Sequence, residues 1–511
     1  YEAFHLRNIV LFDPRFNRGH VGGRYLRGVK ITLWSICSSG TGIDIIGRLT
    51  HKTPQAKNKT IVSDGAVMPA SGIMPTMKPT LSRPAPVEYP ASWYAHSAPL
   101  LAQFPTLEGD VDTDVCVIGG GYTGLSTAIH LRKRGYDVVL LEAERVGWGA
   151  SGRNGGHVGT GQRVDQARIE QWVGLDTATA LWQLSLEAVD RVCELIDEHD
   201  IDCELGVGNL HLAAKPSHAR ELQAEKAHLE TVYGYEGLTY LSPEETSTIT
   251  SAHGFHGALL DTGCRHLHPL KYALGLARAA SKMGVRIYEG THGQPLPDGR
   301  SGTVKTDRGC VRAKQVVLGC NAYLGNIAPR LAGNIMPINN FVIATEPLSA
   351  ELLSRINRDN VSMSDTLFVI NYWKLSADGR LLFGGGENYS SQFPADIKSF
   401  VRPHMLKIYP ELRDVKIDYG WGGAVGITLN RLPDFGRVGE HLWYAQGFSG
   451  HGVPTATMAG CLLAEAIDGD TARFELMTAV PTRRFPGGTL LRWPGLVAGM
   501  LFYSLADKLG R

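Results

Sequence analysis

Three absences narrow the field before any motif is read. There is no excess of either charge: 51 Lys and Arg face 50 Asp and Glu in 511 residues. Neither nucleic acid nor an anionic membrane is therefore expected as a partner. No apolar run approaches the roughly 18 residues of a membrane span, so no stable membrane insertion is expected. The eight cysteines show neither C-x-x-C nor zinc spacing, so no metal site is expected. Several, such as Cys116 and Cys320, sit in apolar runs and read as buried reduced thiols, which suits a cytoplasmic protein.

Methionine is missing from the first 67 residues, where ten basic side chains face four acids. The chain opens on Tyr1 and its first methionine is Met68. Residues 1–80 are expected to be a leader outside the native fold. The leader is either translated upstream sequence, with the start at Met68, Met74 or Met77, or a basic transit peptide. Residues 81–110 are rich in proline and read as an extended arm.

Glycine is what the chain has in surplus. It holds 60, where average usage of about 7% would give roughly 36. Twelve fall within residues 119–161. There, Val115-Cys-Val-Ile118 reads as a strand buried on both faces. Gly119-Gly-Gly121-Tyr122-Thr123-Gly124 follows, then a helical pattern through Leu125, Ala128, Ile129 and Leu131. A second strand, Val138-Val-Leu-Leu141, ends at Glu142. This is G-x-G-x-x-G within strand–turn–helix–strand. Gly119 permits the tight turn, Gly121 lets a pyrophosphate approach the backbone, and Gly124 lets helix and strand pack closely. The helix N-terminus offers free N–H groups to phosphate. Glu142 is placed to accept both ribose hydroxyl protons, and it would repel the 2′-phosphate of NADP. FAD and NAD remain.

The next stretch, Gly147-Trp-Gly-Ala-Ser151-Gly-Arg153-Asn154-Gly155-Gly156-His157, begins only five residues past Glu142. It resembles the second FAD loop of the D-amino-acid oxidase-like flavoenzymes. Near the end, strand Leu442-Trp-Tyr-Ala445, loop Gln446-Gly447-Phe-Ser449-Gly450-His451-Gly452 and helix Val453–Ile467 resemble that family's third flavin element. Tyr89-Pro-Ala-Ser-Trp-Tyr94, His266-Leu-His-Pro269, Leu375-Ser-Ala-Asp-Gly-Arg380, Trp421-Gly-Gly423 and Phe485-Pro-Gly-Gly with Arg492-Trp-Pro494 are similar to the gamma-glutamylputrescine oxidase group. The likeness covers about residues 86–505.

The resemblance implies an α/β fold. A doubly wound FAD-binding domain of the glutathione-reductase-like Rossmann type is interleaved with an α+β antiparallel-sheet substrate domain. The FAD domain is expected from 111–175, 253–335 and 415–480, and the substrate domain from 176–252 and 336–414. Amphipathic periodicity predicts helices over 176–199, 218–232 and 269–283. Residues 481–511 form a tail with a short helix near Leu496–Tyr503. Packing on the body is expected there rather than rest on a membrane surface, because its polar face is not basic enough.

The resemblance also implies FAD-dependent oxidation of an amine, with an amine C–H passing hydride to flavin N5. The product would be the aldehyde, with ammonia and, if oxygen is the acceptor, peroxide. Another electron acceptor is the alternative, as are another secondary amine or amino acid as substrate, or a flavin-binding protein without turnover. His451, Arg153 and Asn154 are expected against the flavin. Trp421 and Tyr372 are candidate aromatic walls or core residues. Arg431 is a candidate for a substrate carboxylate or merely for a surface acid. His268 reads as a helix-start residue. Two departures stand out. Gly420–Gly426 lacks the cysteine through which sarcosine oxidases attach flavin, so non-covalent FAD is expected. Arg380-Leu-Leu-Phe383 lacks the lysine those relatives place beside N5, which leaves oxygen in doubt as acceptor.

Overall fold

The continuous apolar run at residues 115–118 forms the end of the strand Val111–Ile118, and all four of its residues are buried. In this computed structural model, which describes residues 88–296, 302–388, 392–490 and 492, that strand is central to a seven-stranded sheet. It pairs in parallel with Val138–Leu141 on one side and Cys310–Leu318 on the other. Arg286–Tyr288 and Leu442–Gln446 extend the parallel array outward. Asp434–Val438 closes one edge antiparallel, and Thr303–Lys305 pairs antiparallel with Cys310–Leu318. A mostly parallel sheet must be covered on both faces. The helices Tyr122–Lys133, Pro269–Lys282 and Gly452–Asp468 contribute to the same buried cluster as its inner residues. Gly460 lets the first and last of these helices meet closely, since a Cβ there would lie 2.5 Å from Ser126 Cβ.

The second sheet has nine strands. Its order is Ile417–Ile427, Met336–Thr345, Leu381–Asn388, Tyr372–Leu375, Ser362–Asp365, Gly206–Leu212, Ala258–His266 and His157–Val158, with Leu238–Leu241 also paired to Ala258–His266. Only Ser362–Asp365 with Gly206–Leu212 is parallel among these pairings. One face buries Leu210, Leu212, Met363, Trp373 and Phe383 in a cluster closed by Val401, Met405 and Tyr409. The two layers together are the doubly wound domain and the α+β domain expected from the sequence.

The long amphipathic helix runs Leu175–Glu198, and the more charged one Pro216–Tyr233. The arm departs from its expected extended form at Trp93–Ser97, a short helix. Ser92 caps it, its Oγ accepting from Ala95 N at 3.1 Å, and Tyr94 anchors it fully buried. The stretches 111–175, 253–335 and 415–480 each divide between the sheets, because His157–Val158, Ala258–His266 and Ile417–Ile427 pair in the larger one. The leader and the closing helix near 496–503 lie outside the described residues.

Candidate cofactor and substrate site

The three glycine-rich segments converge on one cavity of about 430 Å³. Gly119, Gly121, Tyr122, Thr123 and Glu142 line it from the first segment, Ser151 and Asn154 from the second, and Ser449, Gly450 and Gly452 from the third. The close packing reserved for glycine is real at the turn. A Cβ on Gly124 would sit 1.9 Å from the Gly119 carbonyl oxygen, and one on Gly119, at φ +111°, 2.8 Å from that of Gly319. Ser151 Oγ accepts from Tyr122 N at 3.0 Å and so fixes the second segment to the helix start.

Glu142 ends its strand facing the cavity. Its carboxylate accepts from Gly120 N at 2.6 Å and from Glu144 N at 2.9 Å. Burial pushes its pKa up to about 7, against the pull of those two backbone bonds. A half-buried carboxylate in this state is completed by further hydroxyl donors, the chemistry a ribose offers. Cys320 also lines the cavity, with its thiol donating to the Ile118 carbonyl at 3.3 Å.

The second segment is held largely by its own side chains. Asn154 donates to the Ala150 and Ser151 carbonyls and accepts from Gly156 N at 2.7 Å. Arg153 stacks its guanidinium 4.0 Å above Trp148 and donates to the Trp148 and Gly422 carbonyls. Trp421, only 2% exposed, donates its indole N–H to the Arg153 carbonyl at 3.0 Å. It therefore braces the loop from the interior. The Tyr372 ring lies between two glycines. A Cβ on Gly155 would meet it at 2.6 Å, and one on Gly384 at 2.1 Å. Its hydroxyl donates to Asn340 Oδ1, and His157 packs edge-on at 5.7 Å. Gly156, at φ +75°, passes the Leu267 carbonyl too closely for any Cβ.

His451 precedes the helix Gly452–Asp468, and its ring packs against Gly159. Burial, with the Arg163 charge, lowers its pKa to about 4, and burial chiefly lowers His157 to about 3. Both imidazoles are neutral at neutral pH. Gly447 N donates to Asn321 Oδ1 at 2.9 Å, and Ser449 adopts φ +51° with its Oγ on the Gly447 carbonyl. The Arg431 guanidinium lies 5.4 Å over the exposed ring of Phe368. His268 caps the helix Pro269–Lys282 by accepting from Lys271 N.

Sequence reasoning missed three contributors. Asn321, after the strand Cys310–Leu318, ties that strand's end to the third segment. Its signal is a lone Asn in a Gly-Cys-Asn turn following an apolar run. Tyr323 lines the cavity and accepts from Ala424 N. Lys374 is fully buried behind Gly156, with Nζ 3.4 Å from the Leu375 carbonyl, and burial lowers its pKa to about 8. No sequence pattern distinguishes it from a surface lysine.

A strand–turn–helix with its ribose acid, a second loop and a closing helix N-terminus around one cavity define a dinucleotide-dependent oxidoreductase. The family model described as FAD dependent oxidoreductase, DAO, matches residues 114–466, and the chain belongs to this family. It is 41% identical over 424 residues to gamma-glutamylputrescine oxidoreductase of Escherichia coli, covering 83% of this chain and 99% of that one. It is 38% identical to a probable oxidoreductase, OrdL, of Rhizobium meliloti, with the same coverages. Among solved structures, glycine oxidase from Geobacillus kaustophilus superposes with a TM-score of 0.60 at 21% identity, covering 74% of this chain and all of that one. L-Proline dehydrogenase from P. horikoshii gives 0.59 at 24%, with coverages of 72% and 99%. FAD is the cofactor, and the residues present fit it: a glycine cradle for pyrophosphate, a half-buried acid for ribose and a helix N-terminus at the far segment.

Proposed function

We propose that the chain oxidises an amine at its C–N bond, with gamma-glutamylputrescine or a similar polyamine-derived amine as substrate. The imine formed is hydrolysed to the aldehyde and ammonia, and peroxide appears where oxygen is the acceptor. The observation that carries this reading is 41% identity extending over 99% of a relative named for that substrate, on a cavity whose lining fits FAD. Bound FAD supplies the two-electron acceptor. The protein's own work is positioning, exclusion of water and control of charge.

His451 and His157 are held neutral by burial, so neither adds a positive charge to the cofactor segments, and the amine must bind as its free base. The start of the helix Gly452–Asp468 lines the cavity through Gly452, Val453 and Ala456. It presents its partial positive charge to whatever negative charge develops there. Tyr372, fixed between Gly155 and Gly384, forms a flat apolar surface beside the loop.

The test is anaerobic. Gamma-glutamylputrescine added to the purified yellow protein should bleach the flavin band. Bleaching only by another amine or an amino acid would move the substrate assignment. No bleaching by any amine would overturn the reading.

A further inference from the structure

The arm at residues 88–107 is fastened to two short segments, 145–148 and 289–291. Tyr89 donates its hydroxyl to the Val146 carbonyl at 2.8 Å, and Trp148 donates its indole N–H to the Glu88 carbonyl at 3.1 Å. Arg145 donates to the Leu101 carbonyl at 2.8 Å, and its guanidinium lies 5.1 Å from the Tyr89 ring centre. Leu107 N donates to Thr291 Oγ1 at 3.1 Å, and Glu289 N to the Pro105 carbonyl at 3.1 Å. Both segments belong to the cofactor site. Trp148 and Thr291 line the cavity together with Glu142, Glu144 and His292. Thr291 N donates to the Glu142 carbonyl at 2.9 Å, Gly290 N to the Glu144 carbonyl at 3.1 Å, and Gly147 N to the Gly120 carbonyl at 2.9 Å. The loop carrying the ribose acid is thus held between the pyrophosphate turn and residues 289–291.

Glu289 stands at the centre of these contacts and is fully buried. One carboxylate oxygen accepts from Val146 N at 2.7 Å. The other accepts from Phe104 N at 2.9 Å and from Arg145 Nε at 2.8 Å. One donor comes from the arm and two from the cofactor loop. A carboxylate offers two acceptor oxygens and no donor, which a neutral amide cannot match. A charge buried this deeply is kept only where it is paired and hydrogen-bonded. We propose that Glu289 is a positioning residue for FAD, through which the arm acts as a strap across the ribose-acid loop, so that arm docking and cofactor binding are coupled. The carboxylate sets Arg145 and Val146, and with them the loop that carries Glu142 and ties Gly147 to Gly120. Undocking the arm would strip Glu289 of Phe104 N and Arg145 of the Leu101 carbonyl, leaving a charged pair half satisfied beside the ribose acid. FAD favours the ordered loop, the ordered loop favours the docked arm, and the linkage runs equally in both directions. This coupling is independent of which amine is oxidised.

FAD titrated into the dialysed protein, read by the change in flavin fluorescence, tests this. Glu289→Gln turns one acceptor oxygen into an NH2 group facing N–H donors. It should raise the FAD dissociation constant about 5–150-fold, the usual span of a coupling free energy. Tyr89→Phe removes only the hydroxyl that the arm sets on the Val146 carbonyl, and should raise the constant about 2–10-fold, the contribution of one neutral hydrogen bond. Amide exchange in the peptide containing Phe104 and Leu107 should be slower in the FAD-loaded wild type than in the dialysed protein, and FAD should no longer slow it in Glu289→Gln. A merely structural Glu289 would lower the melting temperatures of loaded and FAD-free protein alike, whereas a positioning role shrinks the gap between them. Unchanged FAD affinity in both variants, arm exchange that ignores FAD in the wild type, or equal falls in both melting temperatures overturns the strap. If Glu289→Gln does not fold, the affinity of Tyr89→Phe and the wild-type exchange decide.

Discussion

Two ionisable residues with shifted pKa values carry opposite consequences for stability. Burial raises Glu142 from 4.5 to about 7. Between those values the folded apoprotein keeps a proton that the unfolded chain has released. This group's contribution is therefore full below pH 4.5 and is lost as pH climbs to about 7. Glu142→Gln should abolish that dependence, and urea midpoints of the two apoproteins from pH 4.5 to 7.5 should diverge. Parallel curves would contradict the burial argument. The same variant should lose FAD on dialysis, because an amide cannot accept both ribose protons through charged oxygens. Lys374 runs the other way. Its pKa falls from 10.5 to about 8, so the folded state gives up its proton first. Stability from this group then rises with pH between 8 and 10.5. Lys374→Met, similar in length and free of the desolvation cost, should melt higher than wild type at pH 7, with the gap closing by pH 10.5. A lower melting temperature at pH 7 would show that the ammonium is stabilised where it lies.

At the scale of elements, glycine decides which segments can touch. Gly124→Ala sets a methyl group 1.9 Å from a backbone oxygen, which no rotamer relieves. Overpacking of this kind costs about 1–3 kcal/mol, and a lower melting temperature together with loss of bound flavin is the expected result. Gly384→Ala instead meets a side chain, the Tyr372 ring at 2.1 Å. It should displace that ring and slow flavin bleaching while leaving FAD bound; unchanged kinetics would remove Tyr372 from the site. These elements also show what was legible in advance. The strand–turn–helix–strand at 111–141 could be read because period, glycine spacing and the terminal acid all agree. The side-chain assignments were harder. Trp421 sits among Gly420, Gly422 and Gly423, where no alternation marks which face is inward, and it braces the Arg153 carbonyl. Arg431 takes φ +63° and lies over Phe368, a local backbone choice that residue type does not announce.

For the whole molecule, the pH profile is the most discriminating readout, because it sums the charges of both sheets on one cavity. An ordinary histidine titrates near 6.5, and two histidines lie by the cofactor segments. Burial has moved both out of that range, His451 to about 4 and His157 to about 3. No imidazole limb is therefore expected between pH 5 and 8. The amine itself supplies the limb: a primary ammonium has a pKa near that of lysine, about 10.4, and only the free base can yield its C–H as hydride. The logarithm of kcat/KM should rise with a slope of about one per pH unit toward that value. Lys374, at about 8, is the group that could bend the line on the way, and its effect is separable. A bend near pH 8 present in wild type and absent in Lys374→Met assigns it to the buried lysine. A limb near 6.5 that disappears in His451→Asn would show that the imidazole is charged in the working enzyme. The surroundings of His451 would then be wetter than its packing against Gly159 indicates.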